Sequence, residues 1–135
     1  MDRRKRIEVR EEQGVIIVTF IDKRIIDEGN IARMGEDLFS LVDQHQKKDI
    51  VLDFRDLEYM STAALGKFIT LNKKCTTAGG KLVLCNISNE GQGEGIHGVF
   101  MITKLHRLFA GYFHNDWQQP NPDGNIQKAL ELFSW

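Results

Sequence analysis

The segment that most constrains the fold runs from Ile50 to Ala78, with the sequence IVLDFRDLEYMSTAALGKFITLNKKCTTA. It opens with a β-branched, aliphatic and aromatic run that is typical of a strand buried on both faces: Ile50, Val51, Leu52 and Phe54. A polar hinge follows from Asp56 onward. Beyond it, apolar residues recur at helical spacing until Gly79-Gly80, a glycine pair typical of a helix end: Ala64, Leu65, Phe68, Ile69, Leu71, Cys75 and Ala78. The segment therefore predicts a strand, a hinge and an amphipathic helix.

Two adjacent hydroxyl side chains, Ser61 and Thr62, stand where this helix begins. Serine and threonine before a helix are first of all N-caps, because their oxygen accepts a bond from a free backbone N–H. In open α/β sheets, however, the carboxyl ends of the strands are also where ligands and partners dock. The pair is therefore the first candidate for a functional site.

The remaining chain alternates between strand and helix patterns. Strands are predicted at Arg6 to Arg10, Val15 to Ile21, Lys81 to Cys85 and Leu108 to Phe113, with a hairpin around Glu12-Gln13-Gly14 joining the first two. A first helix, capped by Asp27 or Asn30, carries Ile31, Met34, Leu38, Leu41 and Val42 and ends near Gln46. The order β-β-α-β-α-β predicts an α/β domain with parallel crossovers and helices packed on the sheet.

The last third of the chain is less regular. Val99, Phe100, Ile102 and Leu105 predict a short helix or turn packed on the sheet, and residues 118–125 a loop. Asn125 is a candidate cap for a final helix with Ile126, Ala129, Leu130 and Phe133 on one face.

Length and charge limit the classes of protein to which this chain can belong. We expect residues 1–135 to form one domain, with residues 1–5 a flexible basic start. There is no signal-peptide pattern and no apolar run of the roughly 20 residues that a membrane span needs. A net charge of −1 gives no reason to expect nucleic acid or an acidic membrane as a partner. Cys75 and Cys85 occupy apolar positions of a predicted helix and a predicted strand, so we expect both to be buried thiols. We expect a cytoplasmic protein.

A glycine-rich segment at residues 89–98 contains the pattern G-x-G-x-x-G from Gly93 to Gly98. A dinucleotide site needs those glycines directly after the first strand, at the start of a helix. Here they come late in the chain and several residues beyond a strand, so a surface loop is the favoured interpretation and a nucleotide site the alternative. The four histidines, His45, His97, His106 and His114, form no metal-ligand spacing.

The sequence resembles the STAS domain family, the fold of bacterial anti-sigma factor antagonists. The resemblance runs from about Gly14 to Leu132 and is carried by VLDFRDLEYMSTAALGKF, AGGKLVLCNIS and VFMITKLHRLF. It implies a mixed, mostly parallel central sheet of about five strands with helices packed against it. Aligned on Asp56-Leu57, Met60 and Leu65-Gly66, the family's aspartate falls on Ser61 and its phosphorylated serine or threonine on Thr62.

The resemblance also implies a function. Such a domain, while unphosphorylated, binds an anti-sigma factor that is also a serine/threonine kinase; phosphorylation of the hinge hydroxyl ends the binding and a phosphatase restores it. Thr62 is then the expected phosphoacceptor and Ser61 the substitute. The expected partner-binding residues surround the hinge: Asp56, Glu58, Met60, Ser61, Thr62, Gly66 and Lys67.

Three hypotheses follow. The first is this switched protein-binding module, bacterial and cytoplasmic, a monomer or weak homodimer, with no catalytic residue, cofactor or metal of its own. The second keeps the fold without the switch, as a constitutive scaffold or a small-ligand sensor, because Ser61 replaces the family's aspartate. The third is an enzyme that uses a nucleotide through the Gly93–Gly98 segment, against which no convergent set of acids, bases and donors is found.

Overall fold

The structure is a computed structural model and describes residues 6–88, 96–115 and 121–133. Seven strands and four α-helices occur in these ranges. In chain order they are β1 (Ile7–Glu12), β2 (Val15–Phe20), β3 (Arg24–Ile25), α1 (Glu28–Asp43), β4 (Asp49–Asp53), β5 (Tyr59–Met60), α2 (Thr62–Thr77), β6 (Lys81–Ser88), α3 (Ile96–Thr103), β7 (Gly111–Asn115) and α4 (Pro122–Glu131), with a 3₁₀ helix at Leu105–Leu108.

Five of the strands form the central sheet, in the order β1-β2-β4-β6-β7. The β1–β2 pair is an antiparallel hairpin, whereas β2–β4, β4–β6 and β6–β7 are parallel. Gln13 and Gly14 close the hairpin with φ angles of +56° and +81°, which suits a two-residue turn between twisted strands. The predicted mixed, mostly parallel sheet is therefore confirmed, and β4 lies at its centre as the sequence of Ile50 to Phe54 indicated.

The sheet divides the interior into two hydrophobic clusters. The larger one lies under α1, α2 and α3 and has Phe54 near its centre, with the ring centroids of Phe20 at 5.2 Å, Phe68 at 5.3 Å and Phe100 at 6.4 Å. The smaller cluster lies on the opposite face, where α4 and the turn after it pack Ile126, Ala129, Leu130 and Phe133 over Val15, Ile17, Val51 and Val83. Both faces of β4 are thus covered, which explains its uninterrupted apolar sequence.

Side-chain caps fix where the helices start. The carboxylate of Asp27 accepts the Asn30 N–H at 3.0 Å at the start of α1, so of the two predicted caps Asp27 is confirmed. At α4 the cap is Asn121, whose side-chain oxygen accepts the Gly124 N–H at 3.1 Å. The prediction of Asn125 was wrong because the cap of α4 lies four residues earlier, with a proline at the first helical position, and Asn125 is buried instead.

Several predicted boundaries also differ. The loop predicted at 118–125 ends earlier, since Pro122 to Asn125 are helical, and α3 already begins at Ile96, inside the loop predicted at 89–98. β6 continues to Ser88, and β7 starts only at Gly111, after the 3₁₀ helix. Two residues predicted to face the core are exposed: Ala78 caps the end of α2, and Ile102 exposes 73% of its surface.

Candidate functional site

The hinge from Phe54 to Ser61 is held at both ends by backbone bonds. After β4 the chain turns sharply, with the Leu57 N–H donating to the Phe54 carbonyl at 3.0 Å. Its return is fixed by β5, which pairs in parallel with β3, an element that the sequence did not predict. The Ser61 N–H then donates to the Ile25 carbonyl at 3.0 Å. The hinge therefore presents the start of α2 on a fixed frame.

The two hydroxyl residues have different environments. Ser61 is the N-cap of α2: it is half-buried and its Oγ accepts the Ala64 N–H at 3.4 Å. Thr62 is the first residue of the helix and is exposed. One hydroxyl is thus engaged by the fold, while the other faces solvent beside it.

The residues expected to bind a partner do not all reach the surface. Asp56, Glu58 and Gly66 are exposed, as Thr62 is. Met60 is only 7% exposed and belongs to the larger core cluster. Lys67 is half-buried, with its stem lying over Gly35 of α1, where an added Cβ would be 2.8 Å from Lys67 Cδ.

Asp53, the last residue of β4, is turned away from this surface. Its carboxylate is 1% exposed and accepts the Arg55 Nε–H at 2.7 Å and the Arg55 backbone N–H at 3.0 Å. Arg55 also donates to Asp123 of α4 at 3.2 Å. The Asp53 carboxylate therefore has its charge compensated on the α4 side of the sheet, and of the three acidic residues near the hinge only Asp56 and Glu58 face solvent.

Two buried asparagines complete this polar network. The Asn86 side-chain amide donates to Asp53 Oδ1 at 2.8 Å and to the Pro122 carbonyl at 3.1 Å, and its oxygen accepts the Asn125 amide at 2.9 Å. Sequence reasoning missed the network because its members come from β4, β6 and α4. The one local signal is an asparagine ending an apolar strand pattern, and Asn86 indeed has a φ of +58°, a conformation that asparagine tolerates well.

A small cavity of about 100 Å³ lies between the hinge and α3. It is lined by Tyr59, Met60, Ser61, Thr62, Leu65, Ile96 and Val99. Pockets for small organic ligands usually enclose roughly 300–1,000 Å³. The cavity thus suits a single side chain of a partner better than a free small molecule.

Only the end of the glycine-rich segment lies within the described residues. Gly93 and Gly95 lie outside the described residues, whereas Ile96, His97 and Gly98 form the first turn of α3 and Gly98 is buried there. His97 contacts the Tyr112 hydroxyl through Nδ1 at 2.9 Å, and burial raises the pKa of that hydroxyl above its usual range. Within residues 6–88, 96–115 and 121–133 no three His, Cys, Asp or Glu side chains are grouped to hold a metal ion.

The comparisons with known proteins agree with this geometry. A sequence model of the STAS domain matches residues 6–115, so the chain belongs to the STAS domain family. The fold is shared with a candidate anti-sigma factor antagonist from Thermotoga maritima, at a TM-score of 0.68 and 16% identity over 92% of this chain and 94% of that one.

Two further solved structures share the fold. An anti-sigma-factor antagonist (STAS) domain protein from Planctomyces limnophilus has a TM-score of 0.68 and 13% identity over 96% of this chain and 98% of that one. The anti-sigma factor antagonist SpoIIAA in its unphosphorylated form has a TM-score of 0.61 and 11% identity over 92% and 97%. In the described part of this chain no helix has the length and apolar character to cross a membrane.

Proposed function

We propose that this protein is an anti-sigma factor antagonist, a regulatory module that binds an anti-sigma factor with kinase activity and is switched by phosphorylation at Thr62. It acts as the kinase's substrate and catalyses nothing itself. The observation that carries the proposal is the different environment of the two hydroxyl residues at the hinge. Ser61 caps α2, whereas the neighbouring Thr62 is exposed. Membership of the STAS family and the fold shared with anti-sigma factor antagonists support the partner class.

The start of α2 suits a phosphate on Thr62. A phosphorylated threonine carries about −1.5 to −2 charges at neutral pH. The first turn of α2 contains no acidic side chain, so the positive end of the helix dipole and its free N–H groups are available to that charge. The fold should therefore accept the phosphate with little change in stability.

A bound partner should not accept it. Thr62 lies on the rim of the small cavity at the hinge, and an interface closed over a neutral hydroxyl would have to bury a charged group. Asp56 and Glu58, both exposed on the same hinge, add negative charge near it. Phosphorylation is thus expected to lower partner affinity without unfolding the domain.

The test combines phosphorylation with binding. The purified protein is incubated with the anti-sigma kinase of the same organism and ATP, and intact mass and peptide mapping locate the phosphate. Thr62→Ala should abolish the added mass, whereas Ser61→Ala should retain it. In a separate titration, Thr62→Asp should bind the kinase about tenfold or more weakly than the wild type, because it places a charge in the interface.

The matched Ser61→Ala and Thr62→Ala pair separates capping from switching. Wild type that gains no phosphate would refute the switch. The constitutive-scaffold alternative, motivated by Ser61 in the place of the family's aspartate, instead predicts that Thr62→Asp and wild type bind the partner equally well. Phosphate on Ser61 in preference to Thr62 would overturn the assignment of the acceptor, and a phosphatase that restores binding would complete the cycle.

A further inference from the structure

The outer edge of β1 is the feature that the proposed function leaves unused. β1 is the first strand of the central sheet and pairs only with β2 among the residues that the structure describes. Val9, at its middle, exposes 46% of its surface. An unpaired strand edge is a template for another strand, and proteins usually protect it with charges. In β1, however, the order of the charged residues allows another strand to pair with this edge.

The hairpin determines which backbone groups face outward. The Ile21 N–H donates to the Arg6 carbonyl, and residues that exchange bonds with β2 alternate along an antiparallel strand. The even-numbered residues of β1 therefore bond to β2. The N–H and C=O groups of Ile7, Val9 and Glu11 point toward the free edge, where a second antiparallel strand would meet them.

The side chains select one register for a second copy of β1. One face of the sheet carries the side chains of Glu8, Arg10 and Glu12. Their cross-strand partners on β2 are Thr19, Ile17 and Val15, respectively. A twofold axis through Val9 places Glu8 against Arg10 of the second copy, and Arg10 against Glu8 of the second copy. Sliding the strands by two residues either way places Glu8 against Glu8 or Arg10 against Arg10, so both neighbouring registers bring like charges together.

The ion pairs of this register are within reach. In an antiparallel ladder Glu8 and Arg10 would form a pair without mutual backbone bonds, in which side chains approach most closely. Arg10 now contacts Glu12 of its own strand at 3.3 Å, with 52% and 37% of the two side chains exposed. Its guanidinium has further donors and can bind a second carboxylate while that contact persists.

We propose that β1 is a self-association strand: two copies of this chain pair antiparallel through their β1 edges about Val9 and form one continuous sheet. Twofold symmetry makes the contact self-complementary, so it closes as a dimer. One short strand pair buries less than the roughly 1,200–2,000 Å² of a stable interface. The dimer is therefore weak, and dilution dissociates it.

Sedimentation velocity of the full chain at rising concentration tests the proposal. The wild type should shift from monomer toward dimer between about 10 µM and 1 mM, the range expected for a small interface. Val9→Pro should stay monomeric and folded, because proline removes an outward N–H and costs no bond to β2. Glu8→Arg and Arg10→Glu alone should each weaken association about tenfold, since symmetry counts each changed pair twice.

Mixing the two charge variants gives the sharpest result. In a dimer of one Glu8→Arg chain with one Arg10→Glu chain, both cross-strand pairs are again of opposite charge. The mixture should therefore dimerise about tenfold more tightly than either variant alone, an outcome that a misfolded variant cannot produce. The double variant Glu8→Arg/Arg10→Glu should likewise recover wild-type association.

A cysteine at the axis tests the register. Val9→Cys should form a disulfide-linked dimer under mild oxidation, because the Cα atoms of paired residues lie within disulfide range. The matched control Glu11→Cys should not, as the same register places it opposite Ile7. A wild type that remains monomeric at 1 mM (about the upper limit tested), or association unchanged by Val9→Pro and by both charge variants, would overturn the proposal.

Discussion

Gly66 lies on the exposed face of α2, one turn beyond Thr62, and the fold places no demand on it. A Cβ built at this position meets no atom within 4 Å, and no left-handed φ requires a glycine there. Glycine in a helix interior is nevertheless unfavourable relative to alanine. We therefore predict that Gly66→Ala makes the free protein more stable. Because Gly66 belongs to the expected partner-binding surface, the added methyl group should also weaken the complex with the anti-sigma kinase.

The size of the gain follows from the helix propensity. Replacing an interior glycine by alanine contributes about 0.5–1 kcal/mol, with no steric cost to subtract here. For a chain of 135 residues that corresponds to a melting temperature about 2–4 °C higher. At the interface, an added methyl in a closely packed contact costs about 1–3 kcal/mol. Affinity for the kinase should fall accordingly, by about fivefold or more.

Thermal melting by circular dichroism and a calorimetric titration against the kinase measure the two effects. Gly35→Ala is the matched control, since it is also a helical glycine but its Cβ would meet Lys67 Cδ at 2.8 Å. It should gain less stability, because Lys67 must move aside; it serves as a control for the melting experiment only, since Lys67 is itself an expected partner contact. If Gly66→Ala binds the kinase as tightly as the wild type, the contact surface does not include this face of α2. A lower melting temperature would refute the helix argument itself.

Three further predictions concern the fold. In urea unfolding, Ser61→Ala should lower the free energy of unfolding by about 1 kcal/mol and Thr62→Ala by less than about 0.5 kcal/mol; equal losses would contradict the assignment of Ser61 as the cap. Asn125→Ala should cost about 1–3 kcal/mol in the same assay, because it leaves the buried Asn86 oxygen without a donor, and a neutral effect would argue against the network. Burial raises the pKa of the Cys75 thiol to about 12, so at about pH 8 a thiol reagent should label the native protein only as fast as it unfolds. Fast labelling of the folded state at Cys75, located by peptide mapping, would show that this thiol is accessible.

The central unit was predictable because its signals are local. An apolar run buried on both faces, a polar hinge and a helical stripe stand in sequence from Ile50 onward, and the structure confirms each of them. The β3–β5 ladder was missed because each strand has only two residues. Such a strand has no sequence pattern of its own and is defined only by its pairing with the other. Ile102 is exposed because it lies about 200° around α3 from the buried Phe100, so its apolar character alone did not place it in the core.

The candidate site likewise has features that the sequence predicted and features that it could not predict. That a hydroxyl would cap α2 followed from its position alone, whereas the choice of Ser61 depends on backbone geometry. The orientation of Asp53 was beyond sequence reasoning, because it depends on Asn86 and Asn125, which lie 33 and 72 positions further along the chain. Partner contacts at Asp56, Glu58, Met60 and Lys67 stay predictions, of which the buried Met60 is the least suited to direct contact.

The asparagine network has a consequence for how the chain folds during synthesis. α4 leaves the ribosome after every strand of the central sheet, yet it covers Val51 and Val83 and supplies the Asn125 amide. Until then one side of the nascent sheet is uncovered, and the Asn86 side chain lacks its α4 partner. Because a domain generally folds as one unit, the sheet is fully covered and Asn86 fully bonded only once this helix has docked. A released chain truncated before Pro122 should therefore leave Val51 and Val83 uncovered on this side of the sheet and be a good substrate for chaperones that recognise exposed apolar strands.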